Sequence, residues 1–163
     1  MAYNAKAISN YFLELAENKG RSLTPMKLQK MIFFAHGWSL ALYKAPLIAE
    51  QIEAWPFGPV IPSIYHEFKH VRSGAITSKA TEFDLENFEL YEPKLDDTLE
   101  DQRTKKLLDK IWDVYSIYSA IQLSNLTHLD ETPWAKAKAN FEGFNNIPIE
   151  NSIIQKYFEG LVG

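Results

Sequence analysis

Cysteine is absent from this chain of 163 residues. That excludes a disulfide framework, thiol catalysis and every cysteine-based zinc site, and it fits a reducing compartment. Histidine is scarce as well: His36, His66, His70 and His128 are all there are. A metal would therefore have to rest on imidazoles and carboxylates. Excess positive charge is missing, with 17 basic residues against 21 acidic ones. A net charge of −4 argues against a general nucleic-acid binder, which carries a basic patch. No apolar run approaches the ~18 residues of a membrane span. Neither a glycine-rich phosphate loop nor a serine nucleophile elbow is present. The opening stretch, MAYNAKAISNYFLELAENKG, is amphipathic and carries glutamates, so it does not read as a signal or transit peptide. These absences leave the expectation of a soluble cytoplasmic protein, residues 1–163 forming one domain.

What is present is a good supply of core. Hydrophobic residues make up 46% and aromatic residues 13% of the chain, enough for a core without covalent staples. Residues 4–18 read as a helix with Ile8, Tyr11, Phe12 and Leu15 on one face. A second helix opens at Thr24 as N-cap with Pro25 in the first helical position. Its stripe of Leu28, Met31, Ile32, Ala35, Ser39 and Leu42 is joined by Phe33, Phe34 and Trp38 around the circumference. A helix apolar nearly all round predicts a buried central helix.

Residues 48–55 alternate with a period near two and predict a short strand, broken at Phe57-Gly58-Pro59. Pro62 can start the next helix. Between 74 and 97 the pattern is polar and irregular, with short edge strands expected around 75–79 and 86–91. Helix resumes near Asp97 or Thr98, burying Leu107, Leu108, Ile111, Tyr115 and Tyr118. Ser119 and Gln122 form a capping box, and Thr132-Pro133 marks another start. A last amphipathic helix turns Ile153, Ile154, Tyr157, Phe158 and Leu161 inwards. The expected fold is mainly α, with about six to seven helices and a small antiparallel β element.

YHEFKHV, residues 65–71, contains the His-Glu-x-x-His spacing by which a helix offers two imidazoles to zinc and a glutamate as general base. At about 100° per residue, Ile64, Phe68 and Val71 form the apolar stripe and His66 and His70 face the other way. The motif lacks its context. A metzincin needs glycine and histidine where this chain has Ser73 and Ile76. Glu82, Glu86, Glu89 and Glu92 lie at gluzincin distance, but in a segment of broken periodicity. The sequence therefore predicts two solvated histidines rather than a hydrolase using His66, His70 and Glu67. His36 is expected to hydrogen-bond within the core, and His128 to close a helix, where a cation suits the dipole. No catalytic residue, metal or cofactor is assigned.

Lys27 and Lys30 stand in the first turns of the second helix, where the macrodipole disfavours a cation by ~0.3–1 kcal/mol each. Two readings follow. Internal acids such as Glu53 could neutralise them, or they could form a positive rim for an acidic partner.

The stretch LTPMKLQKMIFFAHGWSLALYKAPLIAEQIEAWPFGPVIPSIYHEFK, with LSNLTHLDETPW further on, resembles the signature of the Panacea domain family. Its members are also called phage-associated GepA-like or SocA-like proteins. The resemblance spans residues 24–134 and holds many positions in order, which is far more specific than the zinc pattern. It implies an antitoxin of a bacterial or prophage toxin–antitoxin pair, binding a protein toxin encoded by the adjacent gene without catalysis. Some relatives are adaptors that deliver a toxin to a AAA+ protease, so such a protease is a further implied partner. Among the matching positions, Lys27, Gln29, Lys30, Glu53 and His128 are polar and become the candidate partner-binding residues. Leu28, Trp38, Trp55, Gly58, Pro59, Tyr65, Phe68, Pro133 and Trp134 are expected to serve the fold, with Gly58 and Pro59 shaping a turn. His70 lies outside the pattern.

Overall fold

The computed structural model describes residues 2–141 and 143–162. Among them are seven α-helices, a three-stranded antiparallel sheet and a separate hairpin. This is the mainly α fold with a small β element that the sequence predicts.

Helix α1 (Ala5–Asn18) begins where Asn4 accepts the Lys6 N–H (2.8 Å), and it buries Ile8 and Phe12 completely. Helix α2 (Pro25–Tyr43) starts at the Thr24–Pro25 signal, with Thr24 Oγ1 accepting the Lys27 N–H (3.2 Å). It ends at Lys44, which takes a left-handed conformation (φ 55°) and caps the last turn. The predicted stripe is buried from Leu28 to Ser39, whereas Leu42 emerges at 51% exposure near the helix end. Each fully buried Leu, Ile or Phe of this helix contributes about 1.5–3 kcal/mol relative to exposure.

Around α2 the remaining elements assemble. Strands β1 (Ile52–Trp55) and β2 (Gly58–Val60) form a hairpin, followed by α3 (Pro62–Phe68) and a 3₁₀ turn over Lys69–Val71. Strands β3 (Glu82–Asp84) and β4 (Glu89–Tyr91) form the separate hairpin. Then come α4 (Leu99–Tyr115), α5 (Ala120–Thr127), α6 (Pro133–Asn140), β5 (Ile147–Ile149) and α7 (Asn151–Val162). The sheet order is β2-β1-β5, with Glu53 opposite Val60 on one side and Pro148 on the other. Helices α1, α3, α4, α5 and α7 all pack on α2.

The closest of these packings is that of α7. A Cβ on Gly37 would fall 2.1 Å from Phe158 Cε2, so the absence of a side chain makes the notch that receives the ring. Phe158 lies edge-on to Phe33 (5.8 Å between ring centres) and Trp38 (5.4 Å). Phe34 stacks on Tyr115 at 4.2 Å, and the Trp38 indole N–H donates to the Tyr115 hydroxyl (2.9 Å). Trp38 is thus partly buried and packs against the core.

Several details depart from the sequence reading. The predicted strand over 48–55 is divided: Ile48 bridges Tyr3 in parallel, and only 52–55 pairs in the sheet. Glu50, in a bend between them, accepts the Ala5 N–H at the start of α1 with its carboxylate (2.9 Å). No strand forms at 75–79. There Ile76 N–H donates to Leu23 O (2.8 Å), and beyond it the Asn10 side chain binds Ala80 N, Ala80 O and Pro93 O. The second edge strand is shorter than expected, because Asp84 Oδ1 accepts the N–H groups of Glu86 and Asn87 in a tight turn. Strand β5 was not foreseen. In the later helices Trp112 is buried instead of Tyr118, and Leu161 is 51% exposed while Ile154 and Phe158 form the core contact.

His36 is fully buried and bonded on both nitrogens. Nδ1 accepts from Leu47 and Ile48 N–H (3.2 and 3.3 Å), which leaves Nε2–H to donate to Asn151 Oδ1 (2.8 Å). Burial holds this imidazole below its ordinary range, in keeping with a neutral core histidine.

Candidate functional site

The His-Glu-x-x-His stretch does not build a metal centre. Helix α3 ends at Phe68, and His70 falls in the 3₁₀ turn beyond it, so the two imidazoles do not share one regular α-helix. Both are exposed, while Ile64 and Phe68 point into the core, as helical geometry requires. Glu67 faces away from either histidine's chemistry: it pairs with Lys6 Nζ (2.8 Å). Among the described residues no group of three or more histidines and carboxylates could hold a metal ion.

The polar residues at the start of α2 have different fates. Lys27 Nζ donates to Ser116 O (2.6 Å), the same carbonyl that accepts from Arg21 Nη2 (3.0 Å). Ser116 caps the C-terminus of α4, so the negative end of that helix dipole offsets cations at the positive end of α2. Burial and the nearby Arg21 charge hold the Lys27 amine below its ordinary range. Gln29 clamps α3 in place: its Nε2 donates to Ile61 O (3.0 Å) and its Oε1 accepts Ile61 N–H (2.9 Å). Ile61 has no side-chain cap of its own to offer, so Gln29 supplies a hydrogen-bond pair at the helix entrance.

Lys30 is the oddest member. It is only 2% exposed, and its Nζ donates to Pro59 O at 3.3 Å. Among the described residues it has no carboxylate within ion-pair distance, although an ammonium carries three donors. Desolvation pushes its pKa down to about 8. The expectation that Glu53 neutralises the two lysines is corrected here: the Glu53 carboxylate accepts instead from the Trp55 indole N–H (2.9 Å).

The second motif meets the first at the β1–β2 turn. Trp134 Nε1 donates to Trp55 O (2.6 Å), His128 Nε2 faces Pro56 O at 3.4 Å, and Ser124 Oγ donates to Phe57 O (3.0 Å). The Trp55 and Phe57 carbonyls of one turn are thereby held by α6 and α5, with the His128 ring packed beside Pro56 O between them. His128 and Trp134 lie with ring centres 3.9 Å apart, and His128 Nδ1 donates to Ser124 O (2.6 Å). Gly58 closes the turn at φ +118°, a conformation open to glycine and strained for other residues. Pro59 follows it in β2, buried, so the pair shapes the turn's exit rather than its tip. Pro133 occupies the first position of α6 below the Thr132 cap.

Between this turn and the N-terminal end of α2 lies a cleft of about 470 Å³. Trp55, Pro56, Phe57 and Val60 line it from the hairpin, Pro25, Met26, Gln29 and Lys30 from α2, and Tyr65, Lys69 and Arg72 from α3 and beyond. Tyr65 meets Trp55 edge-on (4.9 Å) and is 42% exposed, so it belongs to a surface as well as to the fold. Of the five candidate partner-binding residues, Gln29 and Lys30 line the cleft. Lys27, Glu53 and His128 are tied into neighbouring hydrogen bonds behind it. Sequence reasoning missed Met26, Phe57, Lys69 and Arg72. An aromatic flanked by Pro56 and Gly58 in a turn, and a basic pair three residues apart after Phe68, are the visible signals that could have found them.

Residues 28–135 match the family described as Antitoxin SocA-like, Panacea domain. The chain belongs to this family. Antitoxin SocA from Caulobacter vibrioides (strain NA1000 / CB15N) is 29% identical over 133 residues, covering 80% of this chain and 68% of that relative. No solved structure matches the chain. The segment matching the Panacea model contains the β1–β2 turn, α3 and the α5–α6 contacts that hold the turn, and most of the cleft. No helix among the described residues is long and apolar enough to cross a membrane.

Proposed function

We propose that this chain is an antitoxin that holds the protein toxin encoded by the adjacent gene inactive through direct contact, without catalysing a reaction. The observation that carries the reading is membership of the SocA-like Panacea family over residues 28–135, together with the 29% identity to Antitoxin SocA. The site geometry supports contact over chemistry. The glutamate of the zinc-like motif is held by Lys6, and the polar motif residues brace a turn and a cleft whose walls are largely apolar. In this reading residues 1–163 act as one domain, because α1 and α7, outside the family match, pack on α2 within it. The working compartment is the cytoplasm.

Coexpression tests the proposal. The adjacent gene's product, induced alone, is expected to arrest growth; together with this chain, growth returns and the two proteins copurify. A neighbour that is harmless alone, or one that never copurifies, defeats the reading.

A further inference from the structure

The cleft beside the β1–β2 turn has an unusual charge pattern for this chain. The protein carries a net charge of −4, yet the cleft is lined by Lys30, Lys69 and Arg72 and by no acidic residue. Among the described residues none of the three cations makes an ion pair. Lys30 is buried with a single carbonyl for its ammonium, a state that costs desolvation and that a carboxylate brought close would partly offset. Arg72 holds a backbone conformation (φ 60°, ψ −119°) that non-glycine residues rarely adopt, closing the 3₁₀ turn beside the cleft. Between these charges the walls are apolar and accessible: Met26 is 36%, Tyr65 42% and Phe57 72% exposed.

We propose that this cleft receives an acidic segment of a protein partner. An apolar side chain of that segment sits against Met26, Trp55 and Tyr65, and a neighbouring carboxylate faces the exposed Lys69 and Arg72, with the buried Lys30 adding its charge from within the wall. The inference rests on the antitoxin reading for the partner's identity as a toxin, but not for the chemistry of the cleft. Aromatic anchors with desolvated charge pairs are what concentrate binding energy in such contacts. A nucleic-acid strand is the poorer occupant. It needs a continuous basic track along its backbone, and the chain as a whole repels phosphates.

The test uses the full chain and a dye-labelled peptide with aspartates flanking a leucine–tryptophan pair, alongside the same peptide with asparagines and with lysines. Fluorescence anisotropy is expected to show the aspartate peptide binding at least about tenfold more tightly than either control, with affinity falling as salt rises. The surface double variant Lys69→Glu/Arg72→Glu should weaken that binding by about tenfold or more while its melting temperature stays near wild type. Lys30→Met keeps the buried stem and removes the ammonium, and it should also bind more weakly. Should that variant fail to fold, the surface double variant decides. Equal binding of the aspartate and asparagine peptides overturns the proposal. So does undiminished binding by the charge-reversed variant, no binding at ~1 mM peptide, or tighter binding of a single-stranded oligonucleotide. Coexpression separates the two readings. If Lys69→Glu/Arg72→Glu still neutralises the toxin fully, the cleft proposal falls and the antitoxin reading stands. If wild type neutralises nothing yet binds the aspartate peptide with the stated selectivity, the cleft proposal stands and the antitoxin reading falls.

Discussion

A Cβ on Gly58 would lie 2.8 Å from Nζ of Lys30 and 3.0 Å from Oγ1 of Thr127. The buried ammonium of α2 is therefore seated against the bare backbone of the β1–β2 turn, with α5 closing the other side. Gly58→Ala changes two things together. It places a side chain at φ +118°, a region that costs of order 1–3 kcal/mol for non-glycine residues, and it displaces the lysine head from Pro59 O. Urea denaturation should show a loss of at least ~1 kcal/mol. An unchanged midpoint would mean that the turn is free to relax around the new methyl group.

Lys30 should leave a signature in the pH dependence of stability. Its folded pKa, about 8, lies below the unfolded value of 10.5, so between those values the unfolded chain binds the extra proton. Stability attributable to this group therefore rises as pH climbs from 8 towards 10.5, and the penalty below pH 8 is roughly 3 kcal/mol. Tyr3 acts in the opposite sense. Burial and the bond to Asp101 raise its folded pKa to about 12, so above pH 10 its contribution falls with pH. The informative quantity is the difference between wild type and Lys30→Met from pH 7 to 9.5. Wild type should gain stability relative to the variant across that range, and parallel curves would show that Lys30 keeps its ordinary pKa in the folded chain.

The α6 end of the turn can be probed through one atom. Trp134→Phe keeps most of the ring packing and removes the donor to Trp55 O, so a loss of about 1 kcal/mol is expected. Combined with Ser124→Ala, which removes the donor to Phe57 O, the two losses should be non-additive because both act on the same turn. Strict additivity in a double-mutant cycle would show that the turn is not braced as a unit.

Gly37→Ala is expected to be the more damaging glycine substitution. The new methyl would meet Phe158 Cε2, Cδ2 and Cζ at 2.1–2.5 Å, and that ring is fully buried among Phe33, Phe34 and Trp38. Overpacking of this kind costs ~1–3 kcal/mol or more. Calorimetry should show a lower melting temperature. Gly37→Ala with Phe158→Leu should recover part of the loss if the contact itself is the cause.

His36 supplies an acid-side counterpart. Its folded pKa is lowered by burial, so as pH falls through the ordinary histidine range the unfolded chain takes up a proton that the folded chain refuses. Stability should decline there. His36→Phe should flatten that decline while lowering stability at neutral pH, because the Leu47 and Ile48 N–H groups lose their acceptor.

The helices were legible in the sequence because their causes are local. Thr24-Pro25, Ser119 with Gln122, and Thr132-Pro133 each place a cap within a few residues of the donor that it satisfies, and α2 declares its burial by being apolar on every side. The outward direction of His66 and His70 was legible too, since 3.6-residue periodicity fixes it once Ile64 and Phe68 are assigned to the core. The same residue order that carries the SocA-like Panacea resemblance also identifies the family. What only the tertiary structure decided is non-local. Strand β5 is three residues with a proline at its centre, and it exists because β1 presents an edge nearly a hundred residues earlier in the chain. The counter-charge for Lys27 proved to be the carbonyl end of α4, which no side-chain count can reveal. The sequence marks Lys30 as a cation at the start of α2, with an internal acid or an acidic partner as its counterpart, yet the packing of the β1–β2 turn and α5 over α2 leaves its ammonium buried beside Gly58. Local signals set the elements, whereas desolvation of a charge depends on which elements close over it.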